Sequence, residues 1–207
     1  MLKKGALICT LDVQYHQETA YIAADIWSYG YGELGRYGLI LPVEQEYIPG
    51  FFSFREGPLL IQMIQQLMEV HGLHPRLLII DGHGVAHPRR IGLASWVGVQ
   101  VDIPTIGLGK ESLLKFKGEL AEEVGSILPI FWENEIRGYA LRTVTGIKPV
   151  FVSAGHLISQ KEALDVVYSL AGKYRIIDPV RRADMAARKM ERERSESDKI
   201  GFLYTLS

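Results

Sequence analysis

The run Arg76-Leu77-Leu78-Ile79-Ile80-Asp81-Gly82-His83-Gly84-Val85-Ala86-His87-Pro88-Arg89-Arg90 decides the fold. Leu77 to Ile80 is wholly apolar and ends in an acid and a glycine, which is how a strand buried on both faces presents its carboxyl end. In open α/β sheets, ligands bind beyond that edge. The loop that leaves the strand holds two Gly, two His and two Arg before a helix predicted over Arg90–Val97. Glycine permits close backbone approach, and arginine forks onto phosphate oxygens. A zinc pair of His83 and His87 at helical spacing is the competing reading, which Gly84 and Pro88 oppose by disfavouring a regular helix there.

Toward the N-terminus, residues 5–15, 19–29 and 36–43 are apolar, β-branched or aromatic stretches parted by turns such as Tyr29-Gly30-Tyr31-Gly32. They predict three strands in an antiparallel meander. Pro58 suits a first helical turn, and Leu59, Leu60, Met63, Ile64, Leu67 and Met68 follow at helical spacing up to Gly72. The order is therefore βββαβ.

Toward the C-terminus the pattern predicts a strand over Val101–Ile106, then a hairpin-like pair at Gly138–Thr143 and Pro149–Ser153. A helix follows, opened by the capping pair Ser159 and Glu162, carrying Ala163, Val166, Val167 and Leu170 on one face and stopped by Gly172. Beyond Tyr174 the chain is polar. Residues 181–199 hold seven basic and five acidic side chains, read as a solvated helix with an irregular tail rather than a binding arm. The fold class is α/β: a mixed sheet of three antiparallel strands followed by parallel strands, flanked by helices. Residues 1–207 form one domain with a polar C-terminal segment from about residue 181.

Hydrophobic residues make up 47% of the 207 and charged residues 23%, a globular balance. Cys9 is the single cysteine, which excludes an intramolecular disulfide and cysteine-built metal clusters and suits a reducing cytoplasm. No apolar run approaches the ~18 residues of a membrane span, so no membrane partner is expected. A net charge of −1 excludes a protein that coats nucleic acid by bulk charge.

Three acids stand where solvation does not explain them. Asp12 interrupts the apolar first strand, Asp81 ends the fourth, and Glu56 is placed just before the predicted helix. A carboxylate on an apolar strand is costly unless it is paired, hydrogen-bonded or bound to a cation. With the first strand central and the fourth beside it, Asp12 and Asp81 are expected within one ion's reach. Carboxylates without cysteine favour Mg²⁺ or Mn²⁺ over zinc. The competing reading for Asp81 is a turn former before Gly82.

Five segments together carry a family resemblance. Asp12-Val13-Gln14-Tyr15, Tyr47-Ile48-Pro49-Gly50-Phe51-Phe52-Ser53-Phe54-Arg55-Glu56-Gly57-Pro58, the Asp81–Arg89 loop, Asp102-Ile103-Pro104-Thr105-Ile106-Gly107 and Lys148–His156 resemble, in order, the motifs of endonuclease V. The resemblance implies a ribonuclease H-like fold and a Mg²⁺-dependent endonuclease, with Mn²⁺ as substitute. Such an enzyme recognises deoxyinosine in DNA and nicks the second phosphodiester bond on its 3′ side. It further implies Asp12, Glu56, Asp81 and His156 as the catalytic metal site, and Lys110 as a cation on the phosphate. Tyr47, Ile48 and Pro49 match the wedge that opens the duplex; Gly50, Gly82, Gly84 and His87 match the base pocket, and Arg55 and Arg89 match phosphate contacts. Partners are then deoxyinosine-containing DNA or, alternatively, inosine-containing RNA or branched DNA, with the protein acting as a monomer. A lesion-binding module without catalysis is disfavoured because all four matching ligands are present.

Overall fold

The computed structural model describes residues 2–43, 52–195, 200–201 and 203–206. In chain order the elements are β1 (Leu7–His16), β2 (Thr19–Ser28), β3 (Gly32–Pro42), α1 (Phe52–His71), β4 (Leu77–Asp81), α2 (Leu93–Val101), β5 (Thr105–Gly109), β6 (Ile127–Trp132), β7 (Glu135–Leu141), β8 (Val150–His156), α3 (Gln160–Ser169), α4 (Asp178–Arg192) and β9 (Leu203–Leu206). Strands pair both parallel and antiparallel, as the α/β reading expects. The chain divides into two compact units, Leu78–Asp178 and a second made of Leu2–Leu77 with Pro179–Ser207. No helix among the described residues is long and apolar enough to cross a membrane.

In the second unit β1, β2 and β3 form the expected antiparallel meander, with Asp12 opposite Ala23 and Ala23 opposite Gly38. α1 buries Leu60, Met63, Ile64 and Leu67, the residues whose spacing predicts it. It begins at Phe52 rather than at Pro58, so Glu56 lies inside the helix instead of preceding it. Pro58 removes one N–H from the ladder, and the helix runs on because the buried residues after it hold their register.

The polar segment after Tyr174 is not a solvated tail. α4 buries Pro179, Val180, Ala183, Ala186 and Ala187, and Ala186 and Ala187 pack on Ala23. The approach is close: a Cβ added at Gly38 would stand 2.5 Å from the Sδ of the Met190 side chain. Thr10 Oγ1 donates to the Pro179 carbonyl at 2.8 Å. Arg182 donates to both oxygens of the buried Asp25 at 2.6 and 2.7 Å and lies over the Trp27 ring. β9 then adds to β3 antiparallel.

In the unit Leu78–Asp178 the strand order is β4-β5-β8-β7-β6, with β4 and β5 parallel and the other pairs antiparallel. α2 starts three residues later than the pattern suggests and runs on to Val101, because Gly92 caps it and Asp102, at φ 51°, ends it in a left-handed turn. β5 accordingly begins at Thr105, whose Oγ1 donates to the Ala94 carbonyl of α2 at 2.8 Å. β6, which the sequence reading omits, joins β7 through Glu133 and Asn134, both at positive φ as a tight hairpin turn requires. α3 opens on the expected capping box, with Ser159 and Glu162 satisfying each other's backbone N–H.

Candidate functional site

Asp81 ends β4, paired with Leu108 of β5, and Lys110 follows two residues after Leu108. That spacing returns the lysine to the same face, and its Nζ lies 2.5 Å from Asp81 Oδ2. Arg175 fixes the Lys110 backbone by donating to its carbonyl and, at 2.8 Å, to that of Pro149.

The loop after β4 is pressed onto the sheet through glycines. A Cβ at Gly84 would stand 2.0 Å from the Ala154 carbonyl oxygen, and one at Gly107 2.3 Å from Gly84 N. Gly84 N–H donates to Ser153 Oγ at 2.8 Å and Val85 N–H to the Ala154 carbonyl at 2.8 Å. Gly84 is buried by these contacts, and Gly82 is partly exposed beside Leu93. A Cβ at Gly109 would stand 2.4 Å from the ring of His83.

His83, which the sequence offers only as half of the competing zinc pair, lies in this loop. Its buried Nδ1 has no hydrogen-bond partner, and burial, aided by His87, pushes its pKa down to about 4 against a backbone bond to Glu111. A neutral imidazole is therefore held between the loop and Gly109. His87 is likewise lowered, by burial and then by Arg89, and accepts at Nδ1 from the Arg89 N–H at 3.1 Å. Arg89 itself is exposed.

His156 is not brought to Asp81. It pairs with Thr105, three positions before Leu108 on β5, a separation of about 10 Å along the strand. Its Nε2 instead lies 3.2 Å from Asp102 Oδ1, at the C-cap of α2. Spacing from a motif located the residue without revealing that β8 runs antiparallel to β5 and delivers its end to the opposite edge.

In the other unit Asp12 and Glu56 are both buried, at 7% and 5% exposure, as their apolar surroundings suggest. Gln14 Nε2 donates to Asp12 Oδ2 at 3.2 Å. Tyr15 gathers this corner: burial first, then the Glu56 carboxylate, push its phenol above the ordinary range, with Asp12 adding to the rise and Arg55 opposing it. The Arg55 guanidinium lies 4.5 Å from the centre of the Tyr15 ring, a cation–π contact that holds the arginine beside the two acids. Gln14 and Tyr15 were visible only as neighbours of Asp12; their alternation on β1 is the signal that places Gln14 on the Asp12 face. Tyr47, Ile48, Pro49 and Gly50 lie outside the described residues.

Among the described residues no three His, Cys, Asp or Glu side chains form a ready metal-holding group. Each of the three acids is a hard oxygen donor: Asp12 and Glu56 are buried in their own unit, and Asp81 ends β4 in the other, paired with Lys110.

The Endonuclease V family profile matches residues 2–185. Endonuclease V of Dictyoglomus turgidum is 45% identical over 144 residues, 70% of this chain and 61% of that protein. That of Dictyoglomus thermophilum is 43% identical over 150 residues, 72% of this chain and 64% of that protein. These matches span less than two thirds of either relative's length. Among solved structures, Endonuclease V of Streptomyces avermitilis superposes with a TM-score of 0.81 at 34% identity, covering 92% of this chain and 83% of that one. Ciona intestinalis Endonuclease V, solved with a 24mer DNA containing an inosine followed by a ribo-adenosine, gives 0.80 at 27% identity, covering 91% and 87%. The fold is the ribonuclease H-like one of those nuclease structures. The chain belongs to the endonuclease V family.

Proposed function

We propose that the protein is a Mg²⁺-dependent endonuclease that recognises deoxyinosine in DNA. It hydrolyses the second phosphodiester bond 3′ to the lesion and leaves 3′-hydroxyl and 5′-phosphate ends. The observation that carries this reading is the family match over residues 2–185, within which Asp12, Glu56, Asp81 and Lys110 all fall. Asp12, Glu56 and Asp81 are the residues proposed to hold Mg²⁺, or Mn²⁺ in its place. The ion, when bound, supplies polarisation of the scissile phosphate and a more acidic attacking water.

The chain's own residues do the rest. Gln14 donates to Asp12 Oδ2 and so orients that carboxylate. Lys110 exchanges Asp81 for the phosphate oxygens, offsetting the charge that develops there. His83, uncharged near neutral pH, offers a buried acceptor rather than a second cation. His156, held at Asp102, is assigned to the support of the α2 end rather than to the metal. Tyr47, Ile48 and Pro49 are proposed as the wedge and Gly50, Gly82 and His87 as the base pocket, with Arg55 and Arg89 on phosphates; a rigid aromatic replaces the stacking lost when a base is turned out. A monomer in the cytoplasm completes the reading.

The test is product analysis on a duplex with one deoxyinosine. The 5′-labelled product should end one nucleotide beyond the lesion, carry a ligatable 3′-hydroxyl, and vanish with EDTA. A product ending elsewhere refutes the cleavage position.

One observation favours a second reading: the Ciona complex carries a ribo-adenosine directly after its inosine. A 2′-hydroxyl there is what distinguishes RNA from DNA at a protein site. Side-by-side rates on inosine-containing RNA and deoxyinosine-containing DNA decide between the two.

A further inference from the structure

We propose that a basic cleft beside α4 holds the sugar–phosphate backbone of the strand that passes Asp12; the inference deepens the endonuclease reading and rests on it. The cleft has a volume of about 700 Å³ and is lined by Gln14, Arg36, Arg188, Lys189 and Arg192, over a floor that includes Met190 and Leu206.

Gln14 ties this cleft to the acidic corner. The same side chain that lines it donates to Asp12 Oδ2 at 3.2 Å, so the cleft opens directly beside that carboxylate. The helix geometry supplies the charge. Ala183, Ala186 and Ala187 are buried, while Arg188 and Arg192, one helical turn apart, and Lys189 beside them stay exposed and contribute to the cleft lining.

Four cations line the cleft against two acids, Glu191 and Glu193, in a chain whose net charge is −1. Glu191 is engaged by His16 Nδ1 at 3.3 Å and Arg194 at 3.0 Å, so its charge is already offset. Arg188 meets Asp184 at 3.0 Å and Arg36 stands 3.6 Å from Glu33. The Arg188 guanidinium is exposed and its pair is screened, so an incoming phosphate competes for it at little cost, whereas Arg36 is half-buried. A concave wall of guanidinium and ammonium groups carries no base-reading pattern; it matches a polyanion of regular charge spacing.

The experiment uses the full-length protein in EDTA, with a fluorescent duplex carrying one deoxyinosine, an undamaged duplex, and an inosine-containing RNA strand. Binding is titrated over a range of KCl concentrations for wild type and for the Lys189→Gln/Arg192→Gln variant. A Lys161→Gln/Lys173→Gln variant, with the same loss of charge elsewhere, is the control. Each phosphate contact on duplex DNA contributes about 0.9 to the slope of log K against log salt. The cleft variant should lose about 1.8 from that slope, and bind lesion and undamaged duplexes weaker by the same factor, at least about tenfold at low salt. The control should keep the wild-type slope. On the single-stranded RNA arm the same two contacts should lose about 1.4 from the slope, about 0.7 each. Unchanged thermal unfolding of the cleft variant excludes misfolding as the cause. If wild type nicks the lesion duplex in Mg²⁺ but the cleft variant keeps the wild-type slope, the cleft assignment is overturned and the endonuclease reading stands. If wild type neither binds nor nicks any of the three substrates, both fall together.

Discussion

Lys110 Nζ sits 2.5 Å from Asp81 Oδ2, joining the ends of two parallel neighbouring strands. The lysine is 45% exposed at its side chain, so removing it leaves no buried cavity, and its proposed role is to offset charge on the phosphate. Lys110→Met should therefore fold normally and bind lesion duplex with little change, while turnover falls about 10²–10³-fold, the usual effect of losing one transition-state donor. Single-turnover nicking rates beside equilibrium binding check both halves; a loss confined to binding contradicts the assignment.

The glycines of the loop after β4 make a graded prediction. Gly84→Ala drives a methyl into the Ala154 carbonyl, a backbone atom that cannot step aside, whereas Gly109→Ala meets the His83 ring, a side chain with some freedom. Overpacking of this kind costs about 1–3 kcal/mol. Gly84→Ala should stand at or above the top of that range and Gly109→Ala near the bottom, read from urea midpoints. Equal effects contradict the packing described.

Asp25 yields a pH dependence of unexpected sign. Burial raises its carboxyl from the ordinary 3.8 to about 6, outweighing the pull of Arg182. The folded protein then holds the proton more tightly than the unfolded chain, so the contribution is complete below about pH 4 and is lost as pH rises through about 6. Asp25→Asn stays neutral throughout. Its stability deficit relative to wild type should shrink between about pH 4 and about pH 8 in urea unfolding, and a deficit that grows over that range means the Arg182 pairing outweighs burial.

The α3 cap offers a local check. Ser159→Ala removes the acceptor for the Glu162 N–H, 3.1 Å away, and should cost about 1 kcal/mol by chemical denaturation. Ser159→Asp, which keeps a capping oxygen, should restore most of it.

How far the fold can be read from the chain depends on what each element packs against. β1 to β3 and β4 announce themselves through alternation and a continuous apolar run, and α3 through its capping pair. α4 does not, because its buried face is mostly alanine set against Ala23 and Gly38, and alanine among arginines reads as a solvated helix. β6 hides behind Pro129, which an outermost strand tolerates and an inner one does not. In the candidate site, Asp12 and Glu56 were legible because buried acids on apolar elements need a reason, and Lys110 because it follows a motif. The departure of His156 was not legible, since strand direction, unlike residue spacing, leaves no local mark.

Asp81 stands at the centre of the proposed metal-dependent nick at deoxyinosine. The most direct measurement incubates an end-labelled duplex with one deoxyinosine, and an undamaged duplex, with wild type in Mg²⁺, wild type in EDTA, and Asp81→Ala in Mg²⁺. One nick beyond the lesion, seen only with wild type in Mg²⁺ and only on the damaged duplex, is the predicted result. Binding of the lesion without any cut, or equal cutting by Asp81→Ala, would contradict it.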